Sequence, residues 1–166
     1  LASAPLTLSP TRFHNSVHNA AAGYWTIGAR AMAPTTAISA LEASFGQGLL
    51  EALVQLATGT DAVLLVAYDA AASGPLAQVA RSEGLLGGAL VLVPGHMPGQ
   101  PRLQASLRDA MPGETAAAGQ DGLASFAKGN AMRPMLPLFE ALARKQAHAA
   151  IDAGHAKVLQ VDINHG

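Results

Sequence analysis

Between residues 15 and 30 the apolar and small positions Val17, Ala20, Ala21, Tyr24, Ile27 and Gly28 recur at helical spacing and predict one helix. Ala20, Ala21, Ala22 and Gly23 keep its flank small enough for another backbone to approach, so it is expected to be central and buried. Pro34 ends that region. Residues 35–41 then predict a short buried strand of small side chains, which turns sharply at Glu42 into a helix over 44–58. Phe45, Leu49, Leu53 and Leu56 give that helix its apolar face, and Thr58-Gly59-Thr60-Asp61 stops it.

Residues 62–68 are apolar without alternation, the pattern of a strand covered on both faces. A second such strand runs over 87–93 and is stopped by Pro94. Residues 75–83 carry no assignable pattern. The stretch 94–129 is rich in Gly, Pro and Gln and is expected to be a flexible or irregular insertion, with a short helix over 103–110. Pro134 opens a helix that puts Leu138, Phe139 and Leu142 toward the core and runs to about residue 149, before Asp152-Ala153-Gly154 breaks it. Residues 158–163 alternate as a last, half-exposed strand. This order of elements predicts a single α/β domain over 1–166, with a mixed, mostly parallel sheet and helices on both faces.

Half of the 166 residues are apolar and the net charge is −1, a globular composition with no cluster of Lys and Arg to neutralise phosphates. Nucleic acid is therefore not an expected partner. The chain has no cysteine, which excludes a disulfide framework, a thiolate metal site and a thiol nucleophile. Its strongest apolar run, residues 62–67, is far shorter than the roughly 20 residues that span a bilayer. Residues 1–10 lack the basic and apolar regions of a signal peptide, so a soluble, cytoplasmic protein without membrane contact is expected. The chain opens on Leu1 rather than Met, and upstream sequence is expected.

The candidate chemistry centres on the corner at Glu42. A strand-to-helix corner presents one side chain where free backbone N–H groups and the positive end of the helix dipole converge. Ser39 and Ser44 flank it, but no G-x-S-x-G motif surrounds either, so a hydrolase elbow is not indicated. His14 and His18 are four residues apart, without a third ligand at metal-binding spacing, which favours capping or interface hydrogen bonding over a metal site. Asp69 follows a strand and is expected to cap the next turn. Gly84, Gly87 and Gly88 form no phosphate loop, and Tyr24 and Trp25 are expected in the core or an interface.

Four segments carry a family resemblance. They are Ser9-Pro10-Thr11-Arg12-Phe13, Asn15-Ser16-Val17-His18-Asn19-Ala20-Ala21-Ala22-Gly23, Ala33-Pro34-Thr35-Thr36-Ala37-Ile38 and Leu64-Leu65-Val66-Ala67-Tyr68-Asp69. In order and spacing they resemble the N-terminal half of a β-ketoacyl synthase, over residues 9–93, and in particular the small ketosynthase-like branch of type II fatty-acid and polyketide systems. The resemblance implies a thiolase-like layered fold of partial size, no cofactor, and a first strand and helix that precede the point where this chain begins.

In condensing members a Gly-Pro-Ser turn leads through a short strand to the nucleophilic cysteine, and the matching count along this chain falls on Glu42. A carboxylate cannot hold an acyl chain as a thioester, which requires a thiolate. The family's two catalytic histidines lie in its second half, and His96, His148, His155 and His165 match neither motif. Relatives that lack the cysteine are chain-length factors or decarboxylating ketosynthases, which usually carry glutamine there. Glutamate is nearly isosteric, and a helix N-terminus favours its charge by about 0.3–1 kcal/mol.

The resemblance thus implies a non-condensing, chain-length-factor-like subunit. Two alternatives are a malonyl-thioester decarboxylase using Glu42 and a non-catalytic acyl or carrier-protein binding module. An anion beside a developing carbanion or enolate is electrostatically unfavourable unless it is protonated, which weighs against the decarboxylase. The family strand matching residues 35–41 pairs with its twin across a two-fold axis, so a homodimer or a heterodimer with an active ketosynthase is implied, with acyl carrier protein as a further partner. Thr35, Ile38, Ser39, Ala40, Ser44, Phe45, His18 and Asn19 are the substrate or interface candidates that follow.

Overall fold

Ser9 accepts a hydrogen bond from the Arg12 backbone N–H at 3.4 Å, and Pro10, whose missing N–H costs nothing at a helix start, opens α1 (Pro10–His14). The computed structural model describes residues 9–111 and 123–166 and divides into two units, one ending at Ile38 and the other beginning at Ser39. In the first unit, the helix expected over 15–30 is shorter. Residues 15–19 form turns, and α2 (Ala20–Ala29) follows. It ends where Arg30 takes a left-handed conformation, φ 52°, and the Ala31 N–H closes on the Thr26 carbonyl at 2.9 Å.

The expectation that this helix is buried is corrected. α2 buries none of its residues, and Tyr24, Trp25 and Ile27 are all exposed. The physical reason lies in its composition: small and apolar residues are spread around the whole circumference, so no single stripe directs one face inward. The strand expected over 35–41 is also absent. A strand needs a neighbour to take up its backbone hydrogen bonds, and among the described residues only Ala40 pairs, in an isolated bridge to Glu42.

The second unit is built around α3 (Ser44–Ala57), whose extent matches the helix expected from sequence. It packs against the antiparallel hairpin of β1 (Val63–Ala70) and β2 (Leu85–Leu92) and against β4 (His148–Gly154). A four-residue helix, α4 (Leu76–Val79), lies between the hairpin strands. The second sheet has the order β3-β5-β4, with β3 (Arg102–Asp109) and β4 both antiparallel to a central β5 (Lys157–Asn164). α5 (Leu123–Phe126), a 3-10 turn (Arg133–Met135) and α6 (Leu136–Ala143) precede β4, and α6 packs against β4. Phe45, Leu49, Met135, Leu138, Ile151, Leu159 and Val161 are its largest fully buried side chains.

Several expectations need correction here. All strand pairing in the named sheets is antiparallel, not mostly parallel: β4 and β5 are joined by a two-residue turn, which forces reversal, and β1–β2 and β3–β5 also pair antiparallel. Within this unit the helices lie against inner sheet faces rather than on both faces of one sheet: the outer positions of β1 and β2 are exposed. The helix expected from Pro134 to about 149 stops at Ala143, where Lys145 adopts φ 53° and the Gln146 N–H closes on the Ala141 carbonyl at 2.8 Å. Residues beyond it form β4, with Ala149, Ile151 and Ala153 buried on alternate positions.

Within the expected irregular stretch 94–129, a strand replaces the short helix: Leu103 and Ala105 of β3 pack on the core at a period of two. Residues 112–122 of that stretch lie outside the described residues. The last strand, expected to be half-exposed, is central, with Leu159, Val161 and Ile163 buried. No described helix is long and apolar enough to cross a membrane.

Asn130 is a buried polar residue that ties three segments of this unit. Its side-chain amide donates to the Glu83 carbonyl at 2.8 Å and the Asp69 carbonyl at 3.4 Å, and its side-chain oxygen accepts from the Met132 N–H at 2.9 Å. Asn130→Ala removes all three bonds at a site that is 5% exposed. The expected loss is about 1–3 kcal/mol of unfolding free energy, measured by urea denaturation.

Candidate functional site

The corner at the start of α3 is held by its own side chains. Ala43 and Ser44 donate their backbone N–H groups to the Ala40 and Leu41 carbonyls, each at 3.1 Å. The Ser44 hydroxyl donates to the Leu41 carbonyl at 2.6 Å and accepts from the Ala40 N–H at 2.8 Å. This double bond of Ser44 to the preceding loop fixes a turn in which Leu41 takes φ 53°, a left-handed conformation uncommon for a residue with a branched side chain. Leu41 and Glu42 are both exposed, and Ala43 beneath them is buried.

The floor of the corner is the turn end of β4. Gly46 lies so close to it that a Cβ there would clash with the Asp152 carbonyl oxygen, well inside van der Waals contact, with the Ala153 Cα at 3.2 Å. The Gln47 side-chain amide donates to the Ala153 carbonyl. Gly154, at φ 78°, turns the chain where a Cβ would stand 3.1 Å from that of Ala43. The Asp152 carboxylate accepts the Gly154 N–H at 2.8 Å, closing the turn on itself.

The same turn is anchored from its other side. The Ala110 N–H donates to the Ala156 carbonyl at 2.8 Å, and the Lys157 ammonium sits 2.6 Å from the Asp109 carboxylate. That hydrogen bond, and then the charge of Lys157, hold the Asp109 carboxyl below the usual carboxylate range. A lowered folded pKa contributes stability above the unfolded value and loses it as pH falls through the folded one, and here full exposure and solvent screening keep the contribution small.

The sequence-derived candidates separate on this geometry. Ser39, Ala40, Glu42, Ser44 and Phe45 belong to the second unit, and Thr35, Ile38, His18 and Asn19 to the first. Ser44 is the structural lock of the corner. Phe45 is buried in the core, 2% exposed and tilted against Phe139 at 5.9 Å, beneath the corner. Thr35, Ser39, His18 and Asn19 are exposed, and Asn19 stands at the start of α2 without a side-chain capping bond.

His14 meets Tyr24 edge-on at 5.4 Å, and the Tyr24 hydroxyl donates to Asn15 at 2.9 Å. The Asp69 carboxylate accepts the N–H of the next residue, Ala70, at 2.9 Å, a local bond at the strand end. Among the described residues no group of three or more His, Asp or Glu side chains could hold a metal ion. What sequence reasoning missed is the floor: Gly46, Gln47, Asp152 and Gly154. The signal available was the pair Gly46 and Gly48 inside a strong helix, two costly residues that mark close approach.

The family model of the β-ketoacyl synthase N-terminal domain matches residues 3–159. A solved structure of a ketosynthase (ApeO) in complex with its chain length factor (ApeC), from Xenorhabdus doucetiae, contains a chain with TM-score 0.69 and 26% identity to this one. The match covers 94% of this chain and 58% of that chain. No curated protein matches the sequence.

Proposed function

This chain belongs to the β-ketoacyl synthase family through its N-terminal domain, and on that premise we propose that it is a non-condensing, chain-length-factor-like subunit that pairs with an active ketosynthase in fatty-acid or polyketide synthesis. The fold is thiolase-like, of the ketosynthase kind. The observation that carries the reading is the corner itself: a hydrogen-bonded loop-to-helix turn that presents Glu42 in a chain with no cysteine. A ketosynthase scaffold that keeps its corner and lacks any thiol can position a chain or a partner, but it cannot load an acyl group as a thioester.

Support for a ketosynthase partner comes from the similar structure, which is itself a ketosynthase in complex with a chain length factor. Residues 35–41, which form no strand and pair only through the isolated Ala40–Glu42 bridge, would supply the segment that pairs across such an interface. The decarboxylating alternative asks for a protonated Glu42 held against a thioester, and an exposed side chain gives it no support.

The test is a reconstitution with acyl and malonyl carrier proteins. The purified chain alone is expected to yield no β-ketoacyl product and no carbon dioxide, and Glu42→Ala is expected to change neither result. A β-ketoacyl product formed by this chain without another subunit would overturn the reading.

A further inference from the structure

The three-stranded sheet carries a polar cluster that the corner does not use. The register sets Gln104 of β3 and His148 of β4 on either side of Asp162 of β5, with Arg102 opposite Asn164 in the next row of the same face. These five residues and His165 line a cleft of about 360 Å³. It lies at the start of β4, whereas the turn that floors the corner lies at its end. Hydrogen bonds set which groups the cleft has to offer. The His148 Nδ1 stands 2.8 Å from the Asp162 carboxylate, which can only accept, so Nδ1 carries the hydrogen and Nε2 is left without a partner among the described residues. The His165 Nε2 donates to the Gln146 carbonyl at 2.8 Å, which leaves its Nδ1. Asn164 uses its side-chain oxygen to accept the Gly166 N–H at 2.9 Å and keeps its amide hydrogens. The Arg102 guanidinium has no hydrogen bond or ion pair among the described residues. Arg108, on the same face of β3, donates to the Gln160 side chain at 3.3 Å and to the Asp109 carbonyl at 3.2 Å.

We propose that this cleft binds a phosphate dianion, free or as the end group of a phosphate monoester, through Arg102, His148 and His165. The first argument is charge. Arg102, Asp162, His148 and His165 are the charged and titratable groups that line the cleft, and the one carboxylate among them is already engaged by His148. Arg102 therefore offers a planar fork of donors with no anion to answer it, the geometry that meets phosphate bidentately. The second argument is direction. Donors come from β3, from β4 and from the segment after β5, and a tetrahedral dianion has oxygens for all three, whereas a planar carboxylate is filled by the guanidinium alone. The third is the pair of histidines. An anion beside an imidazole favours its protonated form, and protonation turns the His148 Nε2 and the His165 Nδ1 from acceptors into donors. A metal cation does not fit: no group of three ligating side chains exists among the described residues, and Arg102 would repel it. The cleft is at the other end of β4 from the corner and does not depend on the functional reading above.

The experiment is a titration of the full chain with inorganic phosphate, followed by heteronuclear NMR at an ionic strength held constant with sodium chloride. Saturable shifts at the residues of the cleft are expected, with a Kd of about 1–10 mM for charge-assisted bonds open to solvent. Arg102→Gln is expected to weaken binding about 10-fold or more, and His148→Ala about 3-fold or more. Arg108→Gln removes a charge from the same strand outside the cleft and is expected to leave binding within about 2-fold. Circular dichroism identical to the parent shows that each variant is folded. Phenyl phosphate serves as the monoester: binding of both phosphates assigns the exposed end group, and binding of inorganic phosphate alone assigns the free ion. Acetate, the planar anion, is expected to bind about 5-fold more weakly or worse. The proposal is overturned when neither phosphate gives a saturable shift below about 50 mM. It is also overturned by equal binding in Arg102→Gln and Arg108→Gln, which would leave only diffuse attraction, and by acetate binding as tightly as phosphate.

Discussion

Replacing Leu49 with alanine is expected to lower the unfolding free energy by about 2–5 kcal/mol, read as a fall in the urea midpoint at unchanged slope. Leu49 is completely buried on α3, which packs against both the β1–β2 pair and β4 of the three-stranded sheet. Truncation there opens a cavity between layers held by different parts of the chain, and neither sheet can collapse into it without leaving the other. Val54, on the same helix but 49% exposed, supplies the contrast: Val54→Ala is expected to stay within about 0.5 kcal/mol. Equal losses at the two positions would mean that α3 does not separate the layers as described.

α3 was also the element most legible in the sequence, and for the same reason. Phe45, Leu49 and Leu53 repeat at three to four residues with polar positions between, so one period explains both the helix and its buried face. β1 and β2 were legible as strands but not as a hairpin with one free face. Their outer positions are as apolar as their inner ones, and an apolar run reads the same whether its second face is covered within the chain or left exposed.

β3 and β4 were misread because their signals are weak. Ala149, Ala150 and Ala153 are helix formers by intrinsic preference, and the tertiary packing of Ile151 and Ala149 against α3 and α6 overrides that preference. In β3, Leu103 and Ala105 alternate correctly, but Arg102, Gln104 and Ser106 between them are equally at home in a helix. The family resemblance rests on segments whose order is legible in one dimension, and the family match spans residues 3–159, which include all four of them. The site was legible as a corner and not as a floor. Ser44 and Glu42 are neighbours in sequence, whereas the turn that supports them comes from more than a hundred residues further on, and nothing local announces that contact.

Gly46→Ala tests that contact directly. In a solvent-facing helix the change would stabilise by about 1 kcal/mol, since alanine is the better helix former. At Gly46 the new Cβ meets the Asp152 carbonyl oxygen, a backbone atom of β4 that no rotamer change can move aside. Either α3 lifts off β4 or the β4 turn shifts, and overpacking of this kind costs about 1–3 kcal/mol, occasionally more. Gly23, in α2, has nothing within 4 Å of its Cβ position, so Gly23→Ala is expected to be neutral or slightly stabilising. Opposite signs for the same chemical change, measured by urea denaturation, would show that the start of α3 is seated on β4 by glycine. The consequence reaches the corner, because Gln47 bonds to Ala153 and Gly154 faces Ala43 across the same seam. In Gly46→Ala the orientation of Glu42 and the segment before it should change together, so any pairing with a ketosynthase subunit through that segment is expected to weaken along with stability.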